Sequence, residues 1–175
     1  MKKFELTSET KINIFGKKLF RIKALVSFGV VKTGETGGWV EKEENVNQSG
    51  DAWVFDNAEV SDNAWVSGNA RVFGNARVFG NAWVFGNAWV FDNAEVSDNA
   101  EVSDNAWVSG NAGFSDKQVV LSNACVYAKD LESAVEGKIA TPGKIANEFV
   151  LTNALSNADD RETATEGKTD AKPET

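Results

Sequence analysis

Among side chains able to do acid–base, nucleophilic or metal chemistry, this sequence offers many carboxylates, one thiol and no imidazole. It holds 26 Asp and Glu, a single Cys and no His in 175 residues. Without His there is no group whose ordinary pKa lies near neutrality, and the commonest metal ligand is missing as well. Glu59, Glu95 and Glu101 would serve as general bases only with strongly raised pKa values, which an exposed position does not provide. Cys125, in Ala-Cys-Val-Tyr, would need a basic partner to become a nucleophile. One Cys also rules out an internal disulfide and any thiolate-rich metal cluster. The Asp-Asn pairs at Asp56, Asp62, Asp92, Asp98 and Asp104 invite a calcium reading. Gly replaces Asp at equivalent positions, however, and the nonapeptide calcium motif is absent, so turn chemistry explains them better. The expectation is no catalytic residue, no metal and no cofactor.

What positions these residues is a six-residue repeat. From Gly50 to Tyr127 the chain divides into thirteen windows, and nine in a row from Asp56 fit [Gly/Asp]-Asn-Ala-x-Val-[Phe/Ser] without error. Ala and Val stand two apart, so in an extended chain both point to one side while their neighbours point to the other. The Gly/Asp-Asn pair breaks the strand, because these residues reach positive φ cheaply or bond their own backbone. A helix would sweep the Val positions around its axis, and β-branched Val with Asn and Gly is poor helix material. A meander of four-residue hairpins would leave edges everywhere and no common core. A coil whose turns stack in parallel, about 4.8 Å apart, buries every Ala and Val. It also brings Asn above Asn at the corners, where amide ladders form.

An aliphatic residue followed four later by a small one, every six residues (Val60 with Ala64, Val66 with Ala70, Val72 with Ala76), resembles the hexapeptide repeat of left-handed parallel β-helices. The resemblance implies three windows per triangular 18-residue coil and a left-handed wind, so thirteen windows make a little over four coils. A narrower likeness lies in Lys3-Phe4-Glu5-Leu6, Phe20 to Ala24, and Gly37-Gly38-Trp39-Val40-Glu41 leading to Gln48 to Val54. These segments are similar to the start of YdcK-type proteins, bacterial and prophage hexapeptide-repeat proteins labelled as acyltransferases. The likeness covers about residues 1–127. Such acyltransferases typically use a His base, and related carbonic anhydrases hold zinc with three His; this sequence can supply neither.

The domain organisation follows. Residues 1–49 should form an N-terminal β-hairpin cap, with Lys11 to Phe28 turning near Gly16-Lys17-Lys18, because an open solenoid end exposes an unpaired edge. Residues 50–127 form the solenoid and 128–156 an irregular coil or cap. From 157 to 175 the chain is polar and charged, a composition that predicts a disordered acidic tail.

Outward residues carry the functional information. With 18-residue coils, the first face stacks Trp53, Arg71, Trp89 and Trp107 beside Phe55, Phe73, Phe91 and Ser109. The third face carries Trp65 and Trp83 beside Phe85. Six aromatic rings on the first face exceed what monomers usually expose. The N-terminal hairpin, the segment after residue 128, a second copy of the chain (trimers occur in this fold class) or a foreign partner should cover it. The repeat region contains no Thr, which disfavours ice binding.

The net charge of -8 is uneven: +3 over residues 1–50, -7 over 51–112 and -4 over 113–175. An acidic solenoid is unsuited to direct nucleic-acid binding. The start lacks the apolar run of a signal peptide and no segment is long enough to cross a bilayer, so a cytoplasmic location without membrane contact is expected. The sequence thus reads as a non-catalytic scaffold or binding protein, self-associating through aromatics. The alternatives are an acetyl-CoA-type acyltransferase with an unusual base, and an acidic mimic of nucleic acid that inhibits a host enzyme.

Overall fold

The computed structural model describes residues 2–121 and 123–128. The expectations for 128–156 and 157–175 lie outside the described residues, apart from the backbone of Ala128.

The chain opens with a hairpin of β1 (Phe4–Ile12) and β2 (Lys18–Ala24), paired antiparallel with Ile12 opposite Lys18. Its turn spans Asn13 to Lys17, where Asn13 Oδ1 accepts from the N–H of Phe15 at 3.0 Å and of Lys17 at 2.9 Å. The first strand begins at Phe4, earlier than the predicted Lys11. Its Ser, Thr and Glu residues hide the strand pattern, and pairing with β2 supplies what propensity does not. The second strand stops at Ala24 rather than Phe28, and Phe28 instead bridges Val31 across a tight turn.

β3 (Thr36–Val40) is where the pairing changes. One edge pairs antiparallel with β2, the other parallel with β5 (Glu59–Val60), the pair Trp39 and Val40 lying opposite Glu59 and Val60. After a short 3-10 turn at Glu43–Asn45 the repeat begins. Each window then contributes one short strand, placed in turn on one of three walls. The first wall is β4 (Trp53–Val54), β7 (Arg71–Val72), β10 (Trp89–Val90), β13 (Trp107–Gly110) and β16 (Cys125–Ala128). The second is β3, β5, β8 (Arg77–Val78), β11 (Glu95–Val96) and β14 (Gly113–Phe114). The third is β6 (Trp65–Val66), β9 (Trp83–Val84), β12 (Glu101–Val102) and β15 (Val119–Val120), with Val46 bridging below Val66. Among the described residues each wall therefore has five levels, and from β4 upward the register advances by 18 residues, as in Trp89 opposite Arg71 and Trp107. The lowest level is offset by 20, as Val46 lies opposite Val66, so two residues are inserted before β4.

The interior follows the alternation. From Ala52 to Ala112 every Ala and Val of the repeat is at most 1 % exposed. Val stacks on Val, each worth roughly 1.5–3 kcal/mol of burial. At the corners the structure sharpens the sequence reading. The residue with positive φ is the Gly or Asp, at every sixth position from Gly50 (72°) through Asp56 (52°) to Asp116 (59°). Asn follows it and builds the ladders: Asn69 Nδ2 donates to Asn87 Oδ1 at 3.0 Å and Asn87 to Asn105 at 3.0 Å, with parallel columns on the other two corners. An Asp in this conformation carries a strain of order 1 kcal/mol. Its carboxylate offsets that by accepting from the next coil's corner, as Asp92 Oδ2 does from Gly110 N–H at 3.2 Å.

Candidate functional site

The three walls share one interior and differ outside. On the first wall, alternation turns the residues before and after each Val outward, which produces two adjacent columns. One is Trp53, Arg71, Trp89, Trp107 and Cys125; the other is Phe55, Phe73, Phe91, Ser109 and Tyr127. In-register stacking puts like on like. The rings of Trp89 and Trp107 lie parallel, 2° apart with centroids at 5.0 Å, and those of Phe73 and Phe91 likewise at 4.8 Å. The two columns meet edge to face, Phe73 against Trp89 at 5.9 Å. The Arg71 guanidinium sits 5.3 Å from the Trp89 ring centroid, a cation–π contact. Trp107 is 42 % and Tyr127 45 % exposed, while Phe55, Arg71, Phe73, Trp89 and Phe91 are half-buried.

Trp53 departs from the expectation. It is fully buried, with Phe4 and Phe28 packed edge-on at 5.7 and 5.3 Å. Gly37 makes this possible, since a Cβ there would come within 2.6 Å of the indole. The N-terminal segment therefore covers the lower end of this wall, and among the described residues the face is open only from β7 upward. The turn carrying Val30 forms a ledge above Trp53, with Val30 58 % exposed. Beside it lies a hollow of about 260 Å³ lined by Val30, Phe55, Asp56, Arg71, Phe73 and Trp89. Sequence reasoning missed the ledge, because Phe28 and Val30 lie in a loop with no periodicity to orient them.

The second wall is charged, and the hairpin tip leans over it. Lys11 Nζ lies 2.8 Å from Glu59, Arg77 pairs with Glu95, and the Phe15 ring is 4.8 Å from that of Phe79. Lys17 reaches Asp62 at 2.6 Å and Glu41 at 3.6 Å. Partial burial alone would raise the Asp62 carboxyl, but the hydrogen bonds from Lys17 and from Gly80 N–H outweigh it and hold the pKa below the ordinary carboxylate range. The same hydrogen bond and the charges of Asp62 and Glu41 raise that of Lys17. Glu59 and Glu95 are thus salt-bridge partners in this arrangement. Glu101 stands on the third wall between Trp83 and Val119.

The third wall places Trp65 edge-on to Trp83 at 5.8 Å, with Trp83 50 % exposed and Phe85 half-buried. It does not join the first face, so Trp65, Trp83 and Phe85 form a separate, smaller patch. A further unforeseen group is Lys3, buried at the base. Its Nζ donates to Ala52 O at 2.9 Å and lies 4.8 Å over the Phe28 ring. Burial pulls its pKa down to about 8, against the opposing charge of Asp51.

Among the described residues no cluster of three or more His, Cys, Asp or Glu is placed to hold a metal ion, and Cys125 is free and exposed. No helix among them is long and apolar enough to cross a membrane. What the first face can do chemically is bury rings and a guanidinium against another surface.

Comparison with known proteins agrees with the geometry. The family model for the YdcK beta solenoid repeat matches residues 64–78 and 70–86, within the most regular windows. A search of curated proteins finds no match. With that repeat recognised at its centre and the same coil continued through parallel walls on either side, the chain is a YdcK-like β-solenoid repeat protein.

Proposed function

We propose that this chain is a non-catalytic scaffold, a left-handed solenoid that binds through the open part of its first face and associates with itself there. The observation carrying this reading is the stacked column of half-buried Arg71 and Trp89 and exposed Trp107, with half-buried Phe73 and Phe91 and exposed Tyr127 in the column beside it. Trp, Tyr, Phe and Arg are the residues enriched where proteins meet, and Arg held over a ring is pre-organised for such contact. The rings are already stacked on one another within the chain, which lowers the ordering cost of binding. The absence of His from the sequence supports the non-catalytic part.

Sedimentation of the wild type against the variant with Trp89→Ala and Trp107→Ala tests the binding surface. Loss of a concentration-dependent oligomer in the variant, with circular dichroism unchanged, is the expected result. An assay with acetyl-CoA and a panel of amine and hydroxyl acceptors tests the rest; robust turnover would contradict it.

A further inference from the structure

We infer that the lower half of the third wall binds a small soluble ligand through a quaternary ammonium group, seated in the corner between the Trp65 and Trp83 rings with its charge toward Glu44. This site lies on a different wall from the first face and stands or falls independently of it.

Two tryptophan pairs of the solenoid are arranged differently. Trp89 and Trp107 lie flat on each other, so each ring covers a face of its neighbour. Trp65 and Trp83 stand at 76° with centroids 5.8 Å apart, and a right-angled pair leaves ring faces uncovered. Trp83 is 50 % exposed and Trp65 half-buried. Both line an open hollow of about 440 Å³ together with Lys42, Glu44, Asn63 and Ala64, a volume in the range of small-ligand sites. A second hollow, of about 420 Å³, adjoins it at Trp65 and Glu44.

Charge selects the class of ligand. An indole face attracts a cation. Glu44, common to both hollows, is exposed and forms no ion pair among the described residues. Glu43 beside it is already paired with Lys2 at 2.9 Å and accepts from Gln48. Above Trp83 the wall continues with Glu101, and Asp98 and Asp104 stand at the corners of that level. An anionic ligand would therefore meet like charge at both ends of the ring pair. A primary ammonium must place three N–H donors, and the rings offer it no acceptor. A quaternary ammonium has no donor to place and meets the rings and the Ala64 methyl with apolar surface, while its charge is shared between the indoles and Glu44. Lys42 is the one cation lining the hollow, its Nζ held by Asn63 Oδ1 at 3.1 Å, and it opposes a bound cation. No encoded side chain bears a quaternary ammonium, so neither the residues after 128 nor an unmodified second copy supplies the group. The chain also leaves the described solenoid from β16, on the top level of another wall.

Titration with choline, followed by the indole N–H resonances of the six tryptophans, tests this. Saturable shifts of Trp65 and Trp83, assigned from Trp65→Phe and Trp83→Phe, with Trp53 unmoved, are the expected result. The tert-butyl analogue of choline, in which carbon replaces the charged nitrogen, and ethanolamine, the unmethylated amine, should each bind about tenfold more weakly. Trp83→Ala should weaken choline binding about tenfold and Glu44→Gln roughly threefold. Lys42→Met should tighten it, and circular dichroism should be unchanged in all three variants. Equal binding of choline and its tert-butyl analogue would overturn the assignment of a cation. No saturable shift of Trp65 or Trp83, or shifts confined to other tryptophans, would overturn the site. A peptide carrying one trimethyllysine that binds more tightly than choline would overturn the assignment to a free small ligand.

Discussion

The first and second walls of this solenoid are built from the same inner residues and come to opposite ends outside. Val90 and Val96, one window apart, are equally buried, yet beside them Trp89 faces outward among rings and Glu95 pairs with Arg77. On the second wall the hairpin supplies intramolecular partners, Lys11 for Glu59, Phe15 for Phe79 and Lys17 for Asp62. On the first wall the N-terminal segment stops after covering Trp53, and the rings above it pack on one another and on Arg71. The inner repeat thus sets the fold, and the outer positions decide which surface is left to meet another molecule.

The comparison breaks most completely if the shared interior is attacked. Val84→Asp places an unpaired carboxylate in a column with no polar partner, and should destabilise the protein by more than ~4 kcal/mol or prevent folding. Urea unfolding followed by circular dichroism measures this. The corners come next. Gly80 has φ +70°, and a Cβ there would come within 2.7 Å of the backbone N of Asp98, so Gly80→Ala should cost about 1–3 kcal/mol.

At the base, Lys3 gives a pH signature. Its folded pKa of about 8 lies below its ordinary 10.5, so the unfolded chain binds the proton more tightly between those values. This contribution to stability should therefore rise from pH 8 to pH 10.5. The rise should vanish in Lys3→Met, as the difference between the two denaturation profiles would reveal. On the outer walls, Glu95→Gln removes one partner of a half-exposed ion pair and should change stability by less than ~1 kcal/mol. Trp107→Ala should be comparably mild for folding while disrupting association. Equal losses of stability in Val84→Asp and Glu95→Gln would mean the two sides of the strand are misassigned.

Much of this was legible from the repeat. The period of six placed Ala58, Val60 and their equivalents inside and the corner Asn residues in ladders, and the 18-residue coil implied by the family resemblance placed Arg71, Trp89 and Trp107 in one outward column, because stacking in register leaves little freedom. The N-terminal part was less legible. Nothing local in Lys3, Phe15, Phe28 or Val30 says that they reach across the molecule to Ala52, Phe79, Trp53 and the hollow. Those contacts span about fifty residues or more for Lys3 and Phe15, and depend on the angle at which β3 joins the two kinds of pairing. The misplacement of Trp53 has the same origin: alternation gives a side chain's direction, not what lies over it.

Hydroxyl-radical footprinting of the six tryptophans at low and high protein concentration tests most directly whether the open face is the working surface. Trp53 should stay protected at both, and Trp83 should react at both. Trp89 and Trp107 should react when dilute and become protected when concentrated. A reactive Trp53, or Trp89 and Trp107 equally reactive at every concentration, would contradict it.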